Sequence, residues 1–334
     1  MRPFTYVRPA TPEAAVAALA AGGPGTRFLA GGTTLYDLMK LDAEAPSRLV
    51  DVSGLEALAA FDTSGREELV FGAMARMADV AADARLLRDY PALAESLDKA
   101  ASQSLRNMAR VGGNILQRTR CAYFRGGAPY ACNKRVPGSG CSAIGGLDRG
   151  LAVLGGSAHC IATHPGDWAI ALAAFDAVVD VLGPRGARTI PLDEFHREPG
   201  DTPEVETSLA PGELVLRIRV PATPLGRAST YHKIRDRESY AFALASAAVA
   251  LRMEGETVRE ARIALGGVAT RPWRARAAEA GLVGQALTPE AARRAGDAAF
   301  EGARPGAHNG FKVELGARTV ADALMIAKDR GTRA

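Results

Sequence analysis

Apolar residues first recur at helical spacing where Thr11, Pro12 and Glu13 lead into AAVAALAA, which reads as an N-cap hydroxyl, a proline at the first helical position and a helix. The pattern then shortens to a strand, Arg27 to Ala30, closed by Gly31-Gly32. After it Thr33 and Thr34 stand where they can cap a second helix through Leu35, Leu38 and Met39. Arg48–Val52 and Leu69–Phe71 read as further strands, and residues 76–109 as helix with a break at Pro91. The opening region is therefore α/β in character.

From Thr119 to Gly146 the periodicity disappears and Gly, Pro, Asn, Cys and basic residues dominate, so no regular element is expected there; long irregular segments usually carry function. Apolar structure resumes at Leu151–Leu154, followed by a helix near Trp168–Phe175 and strands at Ala177–Leu182 and Glu213–Val220. Pro221–Gly226 reads as a linker. Beyond it, strand-like runs at 228–237, 242–251 and 258–268 precede helices near 288–302 and 311–328, a second and smaller α+β domain. There is no internal repeat.

Composition narrows the function classes. The 334 residues are 47% hydrophobic, enough for a substantial core in two or three domains. The net charge of +4 is spread along the chain without a basic tract, which gives no case for nucleic-acid binding. No run of eighteen apolar residues suggests a membrane span, and the start at Met1-Arg2-Pro3 does not read as a signal peptide. The expected location is the cytoplasm, or the periplasm by export together with a signal-bearing partner.

Two chemical features stand out. Ala30-Gly31-Gly32-Thr33-Thr34 offers unobstructed backbone N–H groups at a helix start, where a pyrophosphate would fit, although an ordinary strand-to-helix turn has the same pattern. Val111-Gly112-Gly113-Asn114 is a second such turn, and neither a G-x-G-x-x-G nor a P-loop motif is present. The other feature is cysteine clustering: Cys121, Cys132, Cys141 and Cys160 all lie within 40 residues, although the chain is 334 long. Their gaps of ten, eight and eighteen residues lack the short knuckle usual for zinc. A Cys₄ zinc site, two disulfides or inert buried thiols all stay open on the residues alone. No nucleophile triad or H-E-x-x-H motif is present, so no catalytic residue is assigned.

With their flanks these turns carry a resemblance. LAGGTTLYDLMK at 29–40, LRNMARVGGNILQRTRC at 105–121, THPGDWAIAL at 163–172 and YHKIRDRESYAFALAS at 231–246 resemble, in order, four conserved blocks of the xanthine dehydrogenase and carbon monoxide dehydrogenase flavoprotein family. The resemblance implies an α+β chain: a two-subdomain FAD-binding domain at 1–222 (about 1–55 and 56–222, with an insertion at about 119–160) and a C-terminal domain at 227–331. It places FAD on Phe28, Leu29, Ala30, Gly31, Gly32, Thr33, Thr34 and Leu35, on Arg110, Gly112, Gly113 and Asn114, and on Asp167 and Lys233. Arg110 departs from the pattern, standing where a small residue is expected. From the residues alone, Asp167 could instead cap the helix that follows it, and Lys233 could be an exposed strand residue.

The cysteine stretch resembles the inserted loop of the members that include periplasmic aldehyde oxidoreductase and 4-hydroxybenzoyl-CoA reductase, which implies a [4Fe–4S] cluster on Cys121, Cys132, Cys141 and Cys160. Ala122 departs from it slightly, standing where a larger or cyclic residue is usual. Arg125, Lys134 and Arg135 could offset the charge of the cluster or face a partner, and His159 is expected to pack near the cluster as a loop residue. The implied role is electron transfer within a heterotrimer, or a multiple of one, with a molybdenum cofactor subunit and a [2Fe–2S] subunit, and aldehyde as the first substrate class. A purine or aromatic hydroxylase, an aromatic thioester reductase, a self-sufficient flavin oxidase and a zinc-stabilised interaction protein are the alternatives.

Overall fold

Thr11 caps the first helix, Pro12–Gly22, by accepting the Ala14 N–H at 3.2 Å, with Pro12 at the first helical position where its missing N–H costs nothing. The computed structural model describes residues 1–333. That helix joins β1 (Thr5–Val7) to β2 (Thr26–Leu29), and β3 (Arg48–Asp51) runs parallel between them in a three-stranded sheet ordered β1-β3-β2. The helical stretch after residue 76 divides into Met77–Ala81, Ala84–Asp89, Pro91–Asp98 and Gln103–Met108, and Pro91 opens the third piece.

A second sheet is antiparallel: β4 (Phe61–Asp62), β5 (Glu68–Gly72), β6 (Val178–Gly183), β7 (Gly186–Pro191) and β8 (Leu214–Pro221), ordered β4-β5-β8-β6-β7. The helix Trp168–Ala174 lies against the same core, where Trp168 meets Phe71 edge to face with centroids 5.5 Å apart. The third sheet, β9 (Ser229–Ile234), β10 (Ala245–Glu254), β11 (Thr257–Gly266) and β12 (Trp273–Arg274), is antiparallel in the order β12-β11-β10-β9.

The alanines of β10 have a packing role. Its first seven residues are all buried, because the helix Phe311–Arg333 packs on this strand and the helices Pro91–Asp98 and Trp168–Ala174 also reach it. A strand covered on both faces loses the usual alternation, and small side chains allow close approach. One buried cluster accordingly holds Phe71 and Trp168 together with Tyr231, Ala248 and Ala250, so the third sheet shares its core with the second.

Several expectations need correction. The apolar run Leu151–Leu154 is buried and makes one isolated bridge, from Leu154 to Ala269. The irregular segment after Thr119 contains a short helix, Ala122–Arg125. The strand β7 and the helix Arg276–Leu282 were not foreseen; β7 exposes five of its six residues and so lacks the apolar run that marks a strand. Among the described residues no helix is long and apolar enough to cross a membrane.

Glu95, on Pro91–Asp98, ties that helix to the third sheet. Its carboxylate accepts the Tyr231 N–H at 2.9 Å and the Thr230 hydroxyl at 3.0 Å and pairs with Arg330. Glu95→Ala strands a buried N–H and a cation together, so we expect a loss of about 2–4 kcal/mol in chemical denaturation, with Glu95→Gln losing less.

Candidate functional site

The first glycine turn begins where β2 ends, with the Leu29 carbonyl accepting the Val52 N–H at 2.8 Å. Gly31 backs onto the helix Gln103–Met108, where a Cβ would fall 2.1 Å from the Met108 carbonyl oxygen. Gly32 has φ +74°, a left-handed conformation that glycine adopts without strain. Thr34 occupies the cap position of the helix Leu35–Lys40 but makes no capping hydrogen bond, contrary to expectation. Among the described residues the N–H groups of residues 30–35 have no acceptor.

The second turn is anchored by N–H groups of Val111 and Gly112 donating to the carbonyls of Ala75 and Ala73, at 3.0 and 2.9 Å. A Cβ on Gly112 would lie 2.6 Å from that of Ala73, whereas a Cβ on Gly113 would meet nothing within 4 Å. One glycine thus allows close packing and the other leaves space open. Asn114 donates to the Met77 sulfur at 3.3 Å, while its Oδ1 is buried without a partner. Arg110 donates to the Met74 carbonyl at 3.1 Å and its buried Nε has no partner. Burial, with Arg76 nearby, lowers the pKa of its guanidinium.

Both turns line one cavity of about 1760 Å³. Ordinary small-ligand pockets hold about 300–1,000 Å³, so this one suits a larger ligand. All fourteen residues placed on FAD by the resemblance, from Phe28 to Lys233, lie in its wall.

Asp167 and Lys233 stand together in that wall. The Lys233 ammonium donates to the Asp167 carboxylate and to the Lys99 carbonyl, each at 2.9 Å, and the Tyr231 hydroxyl donates to the same carboxylate at 2.5 Å. Both charged side chains are buried, which corrects the reading of Lys233 as an exposed strand residue. Asp167 sits at the start of Trp168–Ala174 but caps nothing, because its oxygens are turned to Tyr231 and Lys233. Burial raises the pKa of its carboxyl even with Lys233 pulling it down, and the Tyr231 phenol is pushed well above its ordinary range.

The cysteines form a second locus. Cys121, Cys132 and Cys160 are buried with Leu38, Phe124 and Leu151, Cys141 packs against them, and Cys132 faces Cys141 across an antiparallel bridge. All four thiols are free, so the disulfide alternative is not realised. Among the described residues no group of three or more His, Cys, Asp and Glu side chains is arranged to hold a metal ion. Burial pushes the Cys160 thiol up to about 11 against the pull of Lys134, and raises Cys121 as well.

The basic residues of this loop, expected to offset the charge of the cluster or to face a partner, have partners within the chain. Lys134 is largely buried, pairing with Glu206 at 3.1 Å and donating to the Pro203 carbonyl at 2.8 Å. Arg135 donates to the carbonyls of Tyr123, Phe124, Gly127 and Tyr130. Arg125 pairs with Asp37 at 2.7 Å. His159 is half-exposed, 3.4 Å from Asp201. Sequence reasoning missed Arg118, Arg120, Tyr240 and Phe242 in the cavity wall, and it missed the buried pair His164 and His196, whose rings meet edge to face at 4.7 Å.

Comparison with known proteins gives this geometry its family. The FAD binding domain in molybdopterin dehydrogenase matches residues 2–223, and the CO dehydrogenase flavoprotein C-terminal domain matches 229–327. The chain belongs to the FAD-binding subunits of the molybdenum hydroxylase family. Among its relatives, the aldehyde oxidoreductase FAD-binding subunit PaoB of Escherichia coli K12 is 47% identical, covering 98% of this chain and 99% of that one. The carbon monoxide dehydrogenase medium chain of Hydrogenophaga pseudoflava is 30% identical over 89% of this chain and 86% of its own. A solved carbon monoxide dehydrogenase from that organism superposes with a TM-score of 0.77 at 29% identity, covering 98% of both chains.

The site fits FAD on its own chemistry. Unsatisfied N–H groups on two glycine turns suit a pyrophosphate, and the orphaned Asn114 Oδ1 is left to accept from a ligand. Gly113→Val tests this more cleanly than a change at Gly32, where the backbone itself would be strained. The branched side chain enters the cavity, so FAD content should fall at least tenfold while the FAD-free chain unfolds at nearly its original midpoint. Full FAD retention by a folded Gly113→Val protein contradicts the assignment.

The histidine pair makes a prediction about pH. Burial lowers the pKa of His196 from the ordinary 6.5 to about 4, and holds that of His164 well below its ordinary value, with His196 adding to the effect. Between these values the unfolded chain binds the proton and the folded one does not, so stability falls as the pH drops from about 6.5 towards about 4. Denaturation midpoints measured across that window should decline less steeply for His196→Phe than for the parent.

Proposed function

We propose that this chain is the electron-transfer subunit of a molybdenum aldehyde oxidoreductase, carrying FAD in its cavity and a [4Fe–4S] cluster on Cys121, Cys132, Cys141 and Cys160. The carrying observation is the convergence of two glycine turns with free N–H groups, Asn114 and the Asp167–Lys233 pair on one large cavity, in a chain 47% identical to an aldehyde oxidoreductase FAD-binding subunit. Bound FAD supplies reversible electron storage. The chain's residues bind and orient it: residues 30–35 and Gly113 offer N–H groups to the pyrophosphate, and Lys233 is held in a fixed position in the wall by Asp167 and the Lys99 carbonyl.

No nucleophile or general base for substrate is assigned to this chain, so oxidation of the aldehyde falls to a partner subunit bearing the molybdenum cofactor. A [2Fe–2S] subunit relays the electrons, and the three chains form a heterotrimer or a multiple of it. The cluster reading rests on the donor set: four free thiols gathered in one largely buried place. A cubane is larger than one metal ion, and its four thiolates surround a wider body.

Anaerobically purified protein should contain about four irons and about four acid-labile sulfides per chain, and a Ser at any of the four cysteine positions should lose or convert the cluster. One zinc without sulfide, or full iron content in all four Ser variants, overturns the cluster. The isolated chain should bind flavin without oxidising aldehydes, while the reconstituted complex turns over; aldehyde turnover by the single chain overturns the division of labour.

A further inference from the structure

Arg120 and Arg125, on either side of Cys121, both line the flavin cavity, and neither is fully partnered. Arg120 has no carboxylate within salt-bridge distance among the described residues; its hydrogen bond goes to the Arg118 carbonyl, and its guanidinium carbon stands 5.0 Å from the centre of the Phe242 ring. Arg125 spends Nη2 on Asp37, while its Nη1 is buried with no partner. Asp37 is thus taken by Arg125, and Arg120 is left without a carboxylate. Two other cations of the same wall have carboxylate partners: Arg118 is held by Glu44 and Glu206, and Lys233 by Asp167. A half-buried cation without a counter-charge is costly, and a ligand anion relieves that cost.

We propose that Arg120 and Arg125 form an anion clamp by which the cysteine loop completes the flavin site, holding a negative charge of bound FAD. The proposal rests on FAD as the occupant of the cavity. The charge is either a phosphate or the ring of the reduced flavin, and the chemistry is shared: an oxygen or nitrogen anion accepting from free guanidinium N–H groups. Arg120 also lines a smaller chamber of about 200 Å³ that reaches Cys121 and the Asp167–Tyr231 pair, so its guanidinium stands between the two loci. The insertion is thus part of the flavin pocket's wall, and FAD affinity depends on it.

The test uses the full chain stripped of flavin and titrated with FAD, FMN and riboflavin by fluorescence, and the reloaded protein in spectroelectrochemistry. Parent protein that fails to bind FAD sinks the underlying reading. Given parent binding, Arg120→Gln and Arg125→Gln should each show one of two effects. If a phosphate is held, oxidised FAD binds at least tenfold more weakly, riboflavin binding is unchanged, and the salt dependence of FAD binding is reduced. If the reduced ring is held, oxidised FAD binds normally and the flavin potential falls, by about 30 mV for a tenfold loss of preference for the two-electron reduced form. Arg120→Lys should recover part of either effect. If the variants fold, as judged by circular dichroism, and keep the parent's FAD affinity, salt dependence and potential, the clamp is overturned. Should Arg120→Gln not fold, Arg125→Gln carries the same measurements.

Discussion

A carboxylate and an ammonium buried side by side need each other, and the Asp167–Lys233 pair imposes that requirement where the segments meet. Asp167 leads into a helix of the FAD-binding domain, while Lys233 lies on β9 of the C-terminal sheet. Withdrawing either partner leaves an uncompensated charge in a region with little water, a penalty commonly of about 3–5 kcal/mol. The remaining polar atoms around the pair are saturated: Tyr231 on one carboxylate oxygen, Lys233 on the other, and the Lys99 carbonyl on the ammonium. Both domains are thereby fixed to one wall of the cavity, and a rigid wall is what a redox cofactor needs if its surroundings are not to rearrange with each change of charge.

The glycines of the two turns divide their work. Gly31 and Gly112 face backbone and Ala73, where any side chain would force segments apart, so their role is to bring the two turns close to their neighbours. Gly113 faces open space, so its role is to leave room. Gly32 supplies the backbone reversal. The pattern Gly-Gly occurs twice in the motifs, yet the four positions meet three different physical requirements.

What was legible in the sequence was local. The Thr11 cap, the strand–turn–helix unit at 27–40 and the break at Pro91 follow from chemistry within a few residues. The residues that the family blocks placed on FAD, from Phe28 to Lys233, line one cavity. Illegible features depend on distant partners. Asp167 has the spacing of a helix cap, but Tyr231 and Lys233 outbid the local N–H groups for its oxygens. His164 and His196 are 32 positions apart, and nothing near either one announces that they meet. Arg118 and Arg120 gain their place only when Glu44, Glu206 and Phe242 are brought to them by the fold.

The cysteine loop shows how a segment with almost no secondary structure can still gather four thiols in one place. Backbone carbonyls that no ladder satisfies must find other donors. Arg135 supplies them, spreading its guanidinium over four carbonyls of residues 123–130. Asn133 then ties the His159 carbonyl to the Gly140 N–H, at 3.0 and 2.8 Å, drawing together the chain beside Cys132, Cys141 and Cys160. Lys134 and Arg118 share Glu206, which anchors the loop to the segment after β7. The basic residues next to the cysteines therefore serve first as internal braces. Arg120 and Arg125 differ from them in retaining N–H groups that the protein itself leaves unsatisfied, and those groups lie in the wall of the flavin cavity.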